Sequence, residues 1–396
     1  MKPYGLNLKV FILISVLCGG GTEVQTLQLV RTLIRLGCNI VVICFYEYYQ
    51  DVVEAFEKTG AMVQLMKEPD RGNKAGLFRA LFRVFHQQNP DVVHVQYVEQ
   101  GLIALMAAWV TKIPVRFATV HQLGTLYGMR ERTLMRIATF FTSAFLCVSQ
   151  ATERSWFGDS MLWEPGKRQR RRHWTLYNCV DVDRVSKLSS EGDHQSLKKH
   201  YCLGDRSVIG IVGRVGRAKG HDILLDAATI IKKRLPNICI LMIGDDWERQ
   251  EFLERANNVG LNENVIVTGW LPIEEVYRLY GIMDVIVVPS LIEGFGLTAI
   301  EAMAAGLPVV ASRIGGLVEI VKDRETGYLI EAQNPDQLAT ALLSCLTNKD
   351  LRKQLGTAGT ERASGVFGLD AYEDKIFSLY QWAMRRRKNQ KTFSCT

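Results

Sequence analysis

Four groups of residues have types and spacings that could do chemistry. Gly213-Arg214-Val215-Gly216-Arg217-Ala218-Lys219-Gly220 brackets two long cations between glycines. Arg binds phosphate oxygens bidentately and Lys adds a point charge, which is what neutralising a diphosphate requires. The plain alternative is an exposed basic loop, and the position of Arg217 gives it no clear role. Glu293-Gly294-Phe295-Gly296-Leu297-Thr298-Ala299-Ile300-Glu301 sets one carboxylate on a glycine turn and a second eight positions on, one turn into a helix. Free N–H groups at such a helix start hold an anionic or sugar oxygen. The two glutamates are better placed to read hydroxyls, as on a ribose, than to act as an acid–base pair.

The other two groups are weaker. Gly19-Gly20-Gly21-Thr22-Glu23 follows an apolar run and opens a helix, so backbone can approach a ligand closely there. A tight strand-to-helix turn would read the same. His121, in Thr119-Val120-His121-Gln122, stands at a strand end, whereas His86 and His94 read as ordinary surface or core histidines. Trp270 reads equally as a ring flanking a base or as packing. Asp181-Val182-Asp183 spells a cation-binding D-x-D but falls at a domain break, so it is discounted.

These groups need strands to position them. Near-continuous apolar runs at Leu8–Leu17, Ile40–Tyr46, Asp91–Tyr97, Val115–Val120 and Phe145–Ser149 read as strands covered on both faces of a parallel sheet. Val208–Val212, Ile238–Ile243, Val265–Thr268, Val285–Pro289, Pro308–Ala311 and Tyr328–Ile330 repeat the theme. Helical spacing falls between them, at Thr22–Leu36 before Gly37, and at Asp222–Leu235, Ile273–Tyr280 and Leu297–Ala305. The pattern is α/β: two doubly wound Rossmann-like domains facing across a cleft, with ligands at the carboxyl ends of the strands. The polar stretch Asp181–Arg206 suggests domains 1–190 and 191–375; an amphipathic segment, Asp370–Met384, follows, and the C-terminal helix and basic tail at 376–396 should pack back on the first domain.

Composition bounds the class. A chain of 396 residues with 47% apolar residues holds two or three domains and is not disordered. Nine scattered cysteines, without C-x-x-C, fit a reducing compartment. Val10–Cys18 reads as a buried strand rather than a signal sequence, and no run is long enough to span a membrane. The net charge is +7, yet Lys167–Arg172 and Arg385–Lys391 hold ten positive charges between them, leaving −3 elsewhere. Two local basic runs on a mildly acidic body argue against a nucleic-acid partner and suit an anionic membrane surface. The reading is of a cytoplasmic protein, peripheral at the inner face of the membrane.

Taken in order, the motifs resemble those of family 4 retaining glycosyltransferases, the glycosyl transferases group 1 type with the GT-B fold. The resemblance spans nearly the whole chain and is densest over Gly210–Ile330. There G-R-x-x-x-x-K-G, E-x7-E, Gly306–Ser312 and Gly315-Gly316-Leu317-Val318-Glu319 stand in the family's order. It implies that Arg214 and Lys219 bind the donor diphosphate and stabilise the leaving group, and that Glu301 holds the ribose. Glu293 would contact the transferred sugar beside the backbone of Gly294, Phe295, Gly296 and Leu297. Gly20 and Gly21 would approach the diphosphate, and His121 the sugar C6 hydroxyl or reacting centre.

It further implies a UDP- or GDP-linked sugar donor and a lipid-linked or polysaccharide acceptor. Transfer would be retaining, by same-face attack, with no metal required. The chain departs from the pattern at Leu176–Asp181, at Arg313 and in the basic insert Glu164–Arg172. Two other readings compete: a nucleotide-sugar epimerase of the same two-domain shape, and a non-catalytic protein that binds nucleotide sugar or anionic lipid.

Overall fold

The computed structural model describes residues 5–66, 71–96, 98–166, 171–244 and 248–393. The chain divides into two units: Met1–Cys179 with Asp370–Thr396, and Val180–Leu369. Unit 1 is built on seven parallel strands, β1 (Lys9–Ile14), β2 (Asn39–Cys44), β3 (Met62–Leu65), β4 (Val92–Val95), β5 (Val115–Val120), β6 (Ala144–Cys147) and β7 (His173–Thr175), in the order 3-2-1-4-5-6-7. Unit 2 has six, β8 (Ser207–Val212), β9 (Ile238–Ile243), β10 (Val265–Val267), β11 (Val285–Val288), β12 (Val309–Ser312) and β13 (Gly327–Ile330), in the order 10-9-8-11-12-13. Every pairing is parallel.

Continuous apolar runs make these sheets because helices cover both faces, so neither face can be polar. Val10–Ile14 of β1 and Ile238–Ile243 of β9 are buried throughout. The strand order reverses between β1 and β4, and again between β8 and β11. Those are the switch points beside which ligands bind in such sheets. β3 and β7 were not among the expected strands. β3 is a half-exposed edge without a continuous apolar run, and β7 has only three residues.

The division falls at Cys179 and Asp370, not at 190 and 375. The helix Val182–Ser190, expected at the end of the first domain, buries Val182 and Val185 and packs against the helices Ile273–Tyr280 and Leu297–Ala304 of unit 2. Arg184 also pairs with Glu274. The helix Leu369–Phe393 buries Tyr372, Ile376, Leu379 and Tyr380 in unit 1, where Arg35 pairs with Glu373 at 2.9 Å. Asp181 caps the Val182–Ser190 helix by accepting from Arg184 N at 3.1 Å, a structural use for half of the D-x-D pair. Among the described residues no helix is long and apolar enough to cross a membrane.

His94 joins that last helix to the sheet. Its Nδ1 lies 3.0 Å from Tyr380 Oη and its Nε2 2.7 Å from Thr119 Oγ1. Burial, with a smaller contribution from His121, pushes its pKa down to about 3 from the ordinary 6.5. The unfolded chain therefore takes up a proton near pH 6.5 that the folded chain refuses. The stability from this group is complete above pH 6.5 and drains as pH falls towards 3, by up to about 1.4 kcal/mol per pH unit. Denaturant unfolding between pH 7 and 4 should show a shallower pH slope for His94→Gln than for wild type. Equal slopes would contradict a neutral buried ring.

Candidate functional site in the carboxyl edge of unit 2

The chain leaves β8 through Gly213 and enters the helix His221–Lys232 through Gly220. Gly220 sits at φ +75°, and a Cβ there would overlap the carbonyl oxygen of Pro289, just after β11. That absent side chain lets the loops after β8 and β11 touch. Leu291 N then donates to Ala218 O at 2.9 Å. The loop after β12 is tied in the same way. Gly316 N donates to Glu293 O at 3.3 Å, and Gly315, at φ +49°, presses on that same oxygen.

This clamp brings the first two motifs together. Lys219 Nζ lies 2.8 Å from Glu293 Oε2, which also accepts from Ser290 Oγ at 3.2 Å. Both members of the ion pair are partly open to solvent. Arg214 is exposed and, among the described residues, its guanidinium has no partner. Arg217, given no role by the sequence, is held elsewhere: its N donates to Glu248 at 2.8 Å and its guanidinium pairs with Glu251 at 2.7 Å.

Glu293 continues through Gly294, Phe295 and Gly296 into the helix Leu297–Ala304. Phe295 buries its ring edge-on against Phe367, so only its backbone is available to a ligand. Gly296 supplies no side-chain cap, which leaves the N–H groups of Leu297 and Thr298 directed out of the helix. The other glutamate, expected to read hydroxyls, already holds two from the protein. Glu301 is 7% exposed, and its two oxygens accept from Tyr277 Oη at 3.3 Å and Tyr280 Oη at 3.1 Å. Burial raises its pKa, and the two hydroxyl donors act in the opposite direction. A carboxylate has about four acceptor positions, so two remain for other hydroxyls.

Trp270 follows β10 and is 69% exposed, so packing does not account for it. Sequence reasoning missed the Tyr277 and Tyr280 pair, whose three-residue spacing on a helix was the available signal. It also missed His221, buried with Nδ1 3.0 Å from Gly216 O and bracing the glycine loop.

In unit 1, Gly20 and Gly21 start the helix Gly21–Arg35, as expected. The start is not vacant. The buried carboxylate of Glu23 turns back over it, with burial raising its pKa and the amides of Gly20 and Cys18 donating to it and lowering it. His121 follows β5, with Nε2 3.1 Å from Oε1 of the buried Gln96, itself unremarked in the sequence. Burial pushes His121 down to about 4, so near neutral pH it is an uncharged hydrogen-bonding group.

Of the basic runs, 167–170 lie outside the described residues. Arg171 pairs with Asp159, Arg172 covers the ring of Phe140, and Arg386 covers that of Trp382. Arg313 is held by Asp323 at 2.8 Å. Among the described residues no group of three His, Cys, Asp or Glu could hold a metal.

Two Rossmann-like parallel sheets, each with a glycine loop at its switch point, define the GT-B class. The solved structure of HepE from Anabaena, in complex with UDP, matches with a TM-score of 0.79 at 20% identity over 93% of this chain and 98% of that one. A glycosyltransferase of Rickettsia africae matches with a TM-score of 0.80 at 20% identity, over 96% and 99%. Residues 19–184 match the model of Glycosyltransferase Family 4, and residues 195–362 that of Glycosyl transferases group 1. The chain belongs to the family 4 glycosyltransferases.

Among curated relatives, the capsular polysaccharide biosynthesis glycosyltransferase CapM of Staphylococcus aureus is 24% identical over 78% of this chain and 80% of its own length. A D-inositol 3-phosphate glycosyltransferase of Corynebacterium diphtheriae is 36% identical, but over only 45% of this chain and 44% of its own. The chain is a glycosyltransferase, and the epimerase and scaffold readings gain no support.

The loop clamp can be tested with two glycines. Gly315→Ala should destabilise the protein by about 2 kcal/mol or more, since it combines a positive φ with a backbone overlap. Gly365→Ala, exposed in the helix Lys349–Phe367 with open space around it, should stabilise by about 0.5–1 kcal/mol. Denaturant melts of both variants check the pair, and equal shifts would contradict the clamp.

Proposed function

We propose that the protein transfers a sugar, with retention of configuration, from a UDP- or GDP-linked donor to a lipid-linked or polysaccharide acceptor in cell-surface glycan synthesis. The observation that carries this reading is the meeting of Lys219 and Glu293 across two adjoining loops at the unit 2 switch point, the first of which also bears the exposed Arg214. The name of CapM and the UDP complex of HepE support the substrate classes. GDP-mannose-dependent mannosyltransferases also stand among the relatives.

Arg214 and Lys219 hold the diphosphate, so no metal is needed to neutralise it. Glu293, released from Lys219 by the incoming phosphate, accepts from sugar hydroxyls. The Gly294–Leu297 backbone lies beside that sugar, Glu301 takes the ribose and Trp270 flanks the base. In unit 1, Gly20 and Gly21 serve the diphosphate and His121 the sugar. The bond between the anomeric carbon and the phosphate oxygen breaks, its electron pair leaving with that oxygen, while the acceptor oxygen bonds the same face. The acceptor's proton passes to the departing phosphate oxygen. Fixed cations beside that oxygen provide the main catalytic effect, because charge develops there in the transition state. The contact with an anionic membrane surface belongs to the same proposal.

Transfer assays that follow nucleoside diphosphate release, with lipid-linked glycan acceptors, test the reading. Lys219→Met should lower kcat about 10²–10³-fold, the usual loss for one such group, and NMR of the product should show the donor's anomeric configuration. An inverted product, or full activity in Lys219→Met, would overturn it.

A further inference from the structure

Three helices of unit 1, Lys74–Gln88, Val98–Val110 and Met129–Phe141, lie side by side on one face of the sheet. Trp109 and Phe141 meet edge-on across the second pair, with ring centroids 5.7 Å apart. The inward residues are ordinary core: Leu77, Leu81, Ala104, Leu105, Met135 and Ala138 are buried. The outward ones are not what a solvated face carries. Met129 is 84% exposed, Phe140 69% and Trp109 54%, with Ile137 and Phe82 also open. Isolated exposed apolar residues need no explanation, but a run of large ones across neighbouring helices does.

The charges between them are mostly positive. Residues 74–88, 98–112 and 129–141 hold seven Lys and Arg against two Glu. Arg79, Arg83, Arg130 and Arg136 are exposed, and among the described residues none of these side chains has an ion-pair partner. Arg172, the described end of the basic insert, lies 5.4 Å over the Phe140 ring and extends the patch. Large apolar side chains among unpaired guanidiniums match the boundary of an anionic bilayer. Apolar groups enter between the headgroups, while the long cationic stems reach back to the phosphates.

We propose that unit 1 docks on an anionic lipid surface through this three-helix face. The proposal deepens the membrane contact of the functional reading: it places it on the helices at 74–88, 98–110 and 129–141 rather than on the two sequence runs alone. It needs neither donor nor acceptor, so it can fail or succeed separately from transfer.

The test is co-sedimentation of the full chain with vesicles of phosphatidylcholine containing phosphatidylglycerol at about 30 mol%, a composition that gives the strong negative surface potential basic patches respond to. Binding should exceed that to pure phosphatidylcholine by about tenfold or more and weaken as salt is raised. Ile137→Ser with Phe140→Ser, and separately Arg130→Gln with Arg136→Gln, should each lower binding about tenfold, the first through lost apolar burial and the second through lost charge. The charge pair removes no buried group, and unchanged thermal midpoints and nucleotide-induced shifts confirm that either variant is folded. Wild-type binding in both variants would overturn the proposal, as would absence of binding to anionic vesicles. A wild-type dimer that Phe140→Ser dissociates, without vesicle binding, would overturn it too, by assigning the face to a second copy of the chain.

Discussion

The site depends on a contact between backbones. Three loops leave the carboxyl ends of β8, β11 and β12, and their backbones approach most closely where side chains are missing. Gly220 lies against Pro289, and Gly315 against the carbonyl of Glu293. A methyl group at either place would part the loops. With them closed, the bond from Leu291 to Ala218 forms, and Lys219 meets Glu293 at 2.8 Å. The geometry of this edge thus rests on glycines that carry no chemistry themselves. A fixed arrangement of charge is worth more to a reaction than the same charges on mobile loops, because no reorganisation is needed as the reaction proceeds.

Charge then sorts the motif residues by availability. Arg214 is exposed and, among the described residues, its guanidinium has no partner, while Lys219 is paired with Glu293. Arg217, two residues before Lys219, is committed to Glu248 and Glu251. Glu301 is buried and holds the hydroxyls of Tyr277 and Tyr280. In unit 1 the glycine start of the Gly21–Arg35 helix carries Glu23, so an anion arriving there meets a carboxylate as well as amides. The two glycine loops differ in charge: one presents cations, the other an acid.

The fold was legible because parallel strands covered on both faces must be apolar where they are buried, and the runs at 10–14 and 238–243 are. The loops of unit 2 were legible because Arg, Lys and Glu between glycines have few structural uses. Glu23, Gln96, His221, Tyr277 and Tyr280 were not, since their roles come from partners far away in the chain or from the way a turn folds back. Val182–Ser190 misled for a related reason. Its serines and charges read as a linker, yet Val182 and Val185 suffice to seat it on unit 2. The three-helix face was hidden because an outward Met129 or Phe140 cannot be told from an inward one until the helix is placed.

The central claim is that the clamped edge of unit 2 is a nucleoside diphosphate site. It is tested most directly by titrating the full chain with UDP, GDP, ADP and TDP and following the thermal midpoint. A ligand that binds only the folded protein raises the midpoint with the logarithm of its concentration. The account predicts such a rise for UDP or GDP in the wild type, without divalent cations, and its loss in Arg214→Ala. A midpoint that no nucleotide moves, or one that Arg214→Ala leaves equally responsive, would contradict it.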